Sequence, residues 1–538
     1  MTLEKLRKLQ RLIFMGYIIA MPFAKVSTRL SIPLLGHSWV MYMFLLCMGT
    51  LIYEYFKFGL AISKKVKWYL IIFFVWYMLC HVLGLVFYEY NETLTFATFA
   101  SNRLPIFMQI CPWIFKVFPE LFFLKAWLFF DGMKDLIFRI MEMPFMICYI
   151  YHIYQDDFDG VIDDATKACW ILCGTMATHS FFELSYYWFG AEWGKNYLLA
   201  INPWIYKLPT NGGWWPPLLQ YGNWQLRSLC LEPAFVARIF AIAIPLFSLT
   251  YTKFKNNIKK VGFLFFWAFL SAMLFATKSR AVNVTLWTEL VILLVSTVWI
   301  RKKYFTKAVV SVCLVTFFVY FGVVSTRIIN STPDEPFKIR ELIKNGLNFS
   351  FDYLDENLIN IKERDARSNN TRSADIYACL CVLKAHPIFG VGINLAHYYK
   401  GDNVPEWAQD NSEIKRWLHH ITGDGKVITR FQDFNSYFHK TNAAGIPALI
   451  IFILPFAYCV YFCFLHRSEL WRNETAICLT AMFIALLILG LVNVWQPVAI
   501  PTAFLFLLCR QLDKKYANEK DSMSTDSNIN IKKRKLRY

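Results

Sequence analysis

Apolar runs of about 20 residues, continuous on all faces, alternate with short polar connections along most of the chain, and each is long enough to cross a bilayer as a helix. Clear spans are expected at about 38–58, 68–88, 136–154, 165–189, 233–252, 261–277, 281–300, 304–325, 443–465, 475–493 and 498–512. Weaker runs lie at 12–33, interrupted by Lys25 and Arg29, and within 94–130, interrupted by Arg103, Pro105, Pro112, Lys116 and Pro119. Five or seven crossings before residue 190 both fit, for 12 or 14 spans. Twelve is preferred, with part of 94–135 lying at the membrane interface or re-entering it. The alternating polarity of an outer-membrane barrel is absent. The fold class is all-α, a polytopic transmembrane helical bundle with one large, mostly helical external loop.

Composition agrees: 57% of the 538 residues are hydrophobic, 18% aromatic and only 17% charged. That excludes a soluble domain, a disordered chain and a small disulfide scaffold. The net charge of +18 changes the picture through its distribution. Between Thr326 and Asn442 basic and acidic residues cancel, so the excess sits in short loops and at the two ends. Loops 253–260, 301–303 and 466–474 are basic or short and are expected on the cytoplasmic side, as are the N-terminus with Lys5, Arg7, Lys8 and Arg11 and the basic tail. Parity then puts 190–232, 278–280 and 326–442 outside. The expected organisation is 1–325 transmembrane with external loop 190–232, 326–442 an external domain, 443–512 the last spans and 513–538 a basic cytoplasmic tail. No small-residue cleavage site follows the first apolar run, which reads as an uncleaved signal-anchor. Nucleic-acid binding is the weaker reading of the charge. The 14 cysteines show no zinc spacing, so no metal site or disulfide framework is expected.

Candidate chemistry lies on the external side. Segment 190–232 is rich in Trp, Pro and Gly, which suits a membrane-surface belt or sugar stacking. The hairpin TKSRAV at 277–282 carries Lys278 and Arg280 where topology disfavours cations, and Arg227 in LRSLCLEPAFVAR precedes another span in the same way. An Arg near hydrocarbon costs about 2.5–3.5 kcal/mol, so it snorkels, pairs with a carboxylate such as Glu232 or Glu289, or holds an anion. Two such sites near one face favour a pyrophosphate, whose oxygens match the guanidinium fork. Glu232 before Pro233 either caps a helix, orients Arg227 or takes a proton from an acceptor hydroxyl.

In the long loop, RSADIYACLCVLKAHPIFGVGIN at 372–394 reads as an amphipathic helix with Ile376, Leu380 and Leu383 towards the membrane domain. His386-Pro387 ends it, and Gly390 and Gly392 permit a tight turn rather than a nucleotide fingerprint. His419, His420, Asp433, Asn435 and His439 follow, returning to the membrane before Ala443.

RSLCLEPAFVA at 227–237, SRAV at 279–282, the 372–394 segment and FNSYFHKTNAAGIPALIIF at 434–452 together resemble the O-antigen polymerase and O-antigen ligase superfamily of bacterial inner-membrane glycosyltransferases. The similarity covers roughly 220–450. It implies metal-independent, inverting transfer of a glycan from an undecaprenyl-pyrophosphate donor to a glycan acceptor at the periplasmic face, without cofactors. Arg227, Arg280 and Arg372, with Lys278 beside them, occupy positions expected to hold the pyrophosphate. Glu232, His439 and His420 are open candidates for the base, with His386 and Asn435 as further polar residues of the site. In ligases a histidine commonly precedes the returning asparagine, whereas here Phe434 precedes Asn435; the Glu-Pro segment favours polymerase over ligase. Flippase and chain-length regulator proteins are the partners such an enzyme implies. A lipid-linked glycan transporter is the competing reading from another class.

Overall fold

The computed structural model describes residues 1–24, 26–32, 37–59, 63–91, 109, 111–206, 225–300, 302–331, 367–422, 431, 433–494 and 497–516. Among them the secondary structure is helical, with no strand. In chain order the main helices are α1 Leu3–Ala20, α2 Trp39–Phe58, α3 Lys64–Val86, α4 Glu120–Ile153, α5 Phe158–Phe189, α6 Glu192–Ile205 and α7 Val236–Lys253. There follow α8 Asn257–Ala276, α9 Arg280–Ile300, α10 Lys303–Ser331, α11 Arg367–Ala385, α12 Ser436–Leu465, α13 Glu474–Leu489 and α14 at 499–516. Among the described residues, eight helices are long and apolar enough to cross a membrane. Helix α13, Glu474–Leu489, is apolar but shorter than these.

Local chemistry sets many of the boundaries. Ser38, Asp157, Asn435 and Asn473 each accept a backbone N–H in the first turn of α2, α5, α12 and α13, replacing bonds the helix start lacks. Gly59 and Gly190 close α2 and α5 in the left-handed conformation.

Two boundaries differ from the hydropathy reading. The first span starts at Leu3 rather than near residue 12, because its charged turns are partnered: Arg7 reaches Glu54 at 2.7 Å and Arg11 pairs with Asp157. The span expected at 136–154 is the second half of the much longer α4, through a π-helical turn at Met141–Phe145. Its charged first half is helical because Asp131 pairs with Lys134 and Asp135 accepts from Asn394.

The loops that charge assigned to one side do gather at one end. Lys253 meets Asp163 (3.1 Å), Lys302 meets Glu474 (2.9 Å), His466 meets Asp513 (3.1 Å) and Arg510 meets Asp156 (3.5 Å). Helix α7 is the axis of the bundle, 83% buried over its apolar window and packed against α5, α9, α10 and α13.

At the opposite end the segment 386–395 docks on a broken helix. Within α12, Ala444 and Gly445 leave helical geometry (φ −150° and +74°), which frees the carbonyls before the break. Val391 and Gly392 donate to Asn442 and Ala443 at 2.8 and 3.1 Å, and Ile446 donates to Pro387 at 2.8 Å. Gly390 and Gly392 both have positive φ, so the Gly-x-Gly is the turn that reaches this break.

Helix α11 ends at Ala385, before His386-Pro387, but its buried face is not the expected one. Ile376 and Leu380 are 37% and 48% exposed, whereas Ala374, Asp375, Ala378, Cys379 and Val382 are buried. Small side chains allow close approach to α12, and the Asp375 ion pair turns that face inward. The Trp/Pro/Gly-rich stretch 207–224, residues 332–366 of the external loop and the tail 517–538 lie outside the described residues.

Candidate functional site

The connections 225–232, 277–279, 386–395, 433–435 and 490–493 meet at the end of the bundle that carries the break in α12. Leu226 N donates to Ala276 O at 3.1 Å, which seats the Arg227 loop on the end of α8, beside the turn that opens α9 at Arg280. Arg238, one turn into α7, donates to Asn493 Oδ1 at 2.5 Å. Ser436 N bonds Gly490 O at 2.8 Å and Asn435 Nδ2 bonds Leu491 O at 3.2 Å, which joins the start of α12 to the same turn. Phe434 N bonds Asp375 Oδ2 at 3.3 Å, and the Arg372 guanidinium lies 5.6 Å from the Phe434 ring centre. A chain of short contacts thus links the neighbourhoods of Arg227, Arg280, Asn435 and Arg372.

The roles of these groups differ. Arg227 is wholly buried; Nη1 donates to Leu231 O at 2.7 Å and the guanidinium stands 5.4 Å from the Tyr206 ring centre. The carboxylate beside it is Glu183 of α5, which accepts Ser228 N at 2.8 Å while Ser228 holds φ +52°. Lys278 also has positive φ (+50°), so the hairpin is a tight left-handed turn that presents Lys278 and Arg280 half-buried. Glu232 precedes the turn Pro233–Phe235, makes no side-chain cap bond there and lies within electrostatic reach of Arg238. Asn435 Oδ1 accepts Tyr437 N and Phe438 N at 2.9 and 3.1 Å, so its side chain starts α12. His386 closes α11 and packs edge-on to Tyr399, on the far side of the docking turn. His420 is in the helix Ser412–Thr422, and its side chain falls outside the described residues.

The most connected histidine is His439, in the first turn of α12. Its Nδ1 is 2.6 Å from Asp433 Oδ2 and its Nε2 is 2.6 Å from Arg139 Nη2 of α4. A guanidinium only donates, so Nε2 must accept and Nδ1–H must donate to the carboxylate. Asp433 and Arg139 together fix one neutral tautomer. Behind this pair, the fully buried Lys400 donates to Asp433 Oδ1 at 2.7 Å and to Asp375 Oδ1 at 2.6 Å. Burial pushes the Asp375 carboxyl above its ordinary range despite Lys400. At Asp433 the same burial cost is outweighed by the Lys400 ammonium and the hydrogen bond from His439, and the carboxyl is held well below the usual carboxylate range. Burial also works against the Lys400 charge, but the two aspartates outweigh it and hold the ammonium above its usual range.

Asp375, Cys379 and Asp433 offer ligand atoms within 4.8 Å of one another. Lys400 Nζ already stands between the two carboxylates and serves as their cation. Arg139 escaped the sequence reading, although an arginine within an apolar run is a recognised signal of a functional partner. Lys400 and its aspartates carried no local signal, since their pairing depends on how α11 folds onto the helix Ala396–Asp402.

Residues 264–453 match the family model described as O-antigen ligase. That stretch includes Lys278, Arg280, Arg372, His386, His420, Asn435 and His439, and leaves Arg227 and Glu232 upstream. The match supports the O-antigen polymerase and ligase superfamily, and with it an O-antigen ligase or polymerase type of function in a multi-pass membrane protein. The comparison with curated proteins found no match.

Proposed function

We propose that this chain, similar through residues 264–453 to the O-antigen ligase family, transfers a glycan from an undecaprenyl-pyrophosphate carrier to a sugar hydroxyl at the periplasmic face of the inner membrane. The observation that carries the reading is the His439 imidazole, held in a single basic tautomer between Asp433 and Arg139 at the end of the bundle where the cationic turns meet. The reaction requires two things. A base must take the acceptor proton, and cations must offset the charge growing on the leaving pyrophosphate. His439 Nε2 is the base and Asp433 steadies the imidazolium that forms. Arg280, with Lys278 and Arg372, serves the pyrophosphate. Arg227, being buried against Glu183, shapes the wall beside them and adds its charge through the field.

Repeat-unit polymerisation is the preferred reaction, on the Glu-Pro segment at 232–233. Ligation onto lipid A core or protein is the second reading, favoured by the description of the family that matches. Purified protein incubated with lipid-linked repeat units and read by gel tests the first directly: a ladder is expected, and unchanged single units with polymer building up on the carrier in cells lacking the protein would favour the second. Donor trapped facing the cytoplasm in such cells would instead indicate a transporter.

A further inference from the structure

We propose that Arg139 is a further phosphate-binding residue of this site, holding, together with Lys440, an oxygen of the lipid-linked pyrophosphate in a small cavity of the bundle directly below His439. The inference rests on the glycosyl-transfer reading above.

The cavity is lined by Arg139 and Glu142 of α4 and by Ser436, Lys440 and Phe452 of α12. Lys440, Arg238 and Arg139 all act on the Glu142 carboxylate, while Arg238 also feels Glu232. Among the described residues no hydrogen bond or ion pair joins Glu142 to any of them. Lys440 Nζ is instead parked on Ser436 Oγ at 2.6 Å, 4.0 Å from the centre of the Phe452 ring. A buried guanidinium N–H without an acceptor among the described residues, as at Arg139 Nη1, favours an anion there.

The guanidinium itself is under-used. Nη2 meets the neutral imidazole of His439, the guanidinium stands 5.9 Å from the Tyr77 ring centre, and Nη1 is buried with no hydrogen bond among the described residues. A phosphate oxygen is a stronger acceptor than imidazole and can take two parallel guanidinium bonds. Transfer of Arg139 from His439 to the phosphate therefore uses the idle Nη1 and also releases the Nε2 lone pair. The acceptor hydroxyl then gives its proton to Nε2, its oxygen bonds to the sugar carbon, and the electron pair of the broken carbon–oxygen bond leaves with the pyrophosphate. Donor binding would thus precede exposure of the base.

Farnesyl pyrophosphate and farnesol, offered to the purified full-length protein in detergent, separate the contributions of phosphate and chain. Wild type is expected to bind the pyrophosphate more tightly than the alcohol. Arg139→Gln should weaken the pyrophosphate at least tenfold and leave the alcohol unchanged, and Arg139→Lys should fall between, because an ammonium loses the two-point contact. Equal binding of farnesyl pyrophosphate by wild type and Arg139→Gln would overturn the role of Arg139 while leaving the function intact. No preference for pyrophosphate over alcohol in wild type would remove the lipid-pyrophosphate reading itself. Should Arg139→Gln not fold, Arg139→Lys alone decides: wild-type affinity overturns the proposal and a severalfold loss supports it.

Discussion

Arg139 Nη2 lies 2.6 Å from His439 Nε2, so a cation from the fourth helix covers the one basic atom of an imidazole that Asp433 has already oriented. This contact makes the histidine quiet at rest. Diethyl pyrocarbonate, which attacks an imidazole lone pair, should label His439 slowly in the free wild type and faster in Arg139→Gln, with the modified peptide quantified by mass spectrometry. Equal rates would show that the contact does not cover the nitrogen.

If His439 is removed, the proposed reaction loses its base and most of its rate. General base catalysis is worth about 10²–10⁴-fold, so His439→Ala is expected to lose chain extension by that factor while binding of the lipid pyrophosphate persists. Asp433→Asn should fall in the same direction by a smaller factor, because the tautomer is no longer fixed. Gel ladders from purified protein check both.

The two cations first suggested by topology should behave differently from one another. Arg280 is half-buried at the opening of α9, and Arg280→Ala is expected to reduce turnover about 10²–10³-fold, the scale for losing a group that stabilises a developing anion, with melting temperature unchanged. Arg227 has no exposure and closes its own loop onto Leu231, so Arg227→Ala should lower melting temperature and activity together. Arg280→Lys should also be poor, since an ammonium lacks the planar fork.

The buried Lys400 should govern the stability of the segment from α11 to the start of α12. Loss of one partner of such an ion group typically costs about 3–5 kcal/mol, so Lys400→Ala is expected to destabilise by that order, and Lys400→Met to recover part of it by filling the space. The pH dependence follows from Asp433, whose folded carboxyl titrates well below its unfolded value near pH 4. Its contribution is complete above about pH 4 and declines as pH falls below that, because the unfolded chain then binds the proton first. Denaturation followed by fluorescence across pH 3–6 should show this slope in wild type and a shallower one in Asp433→Asn.

At Gly445 an added Cβ would sit 1.9 Å from Ile388 O, in a backbone with φ +74°. Gly445→Ala should therefore destabilise by at least the roughly 1–3 kcal/mol of such strain and loosen the 387–392 turn from α12. Proteolysis within the external segment should become faster.

The amino-acid sequence made the bundle legible because apolar runs and loop charges are local signals: the spans, the shared end of the basic loops and the stop at His386-Pro387 were all visible. The exposed face of α11 misled the reading, since Ile376 and Leu380 look like a buried stripe until Asp375 is known to meet Lys400. His439 could be named as a candidate from its place near a returning span. Its partner Arg139 lies 300 positions earlier and could be found only once α4 and α12 were side by side. Arg227 was visible as a misplaced cation, but not as one that Glu183 and Leu231 had already engaged.

The interruption at Ala444 and Gly445 leaves residues 436–443 as a short piece whose last carbonyls are taken by Val391 and Gly392. The His439 imidazole is therefore mounted on the cap and not on the long rod that follows it. A chimera that exchanges caps between two such proteins has to be spliced after Gly445; a join at Asn435 would separate the histidine from the surface that aims it.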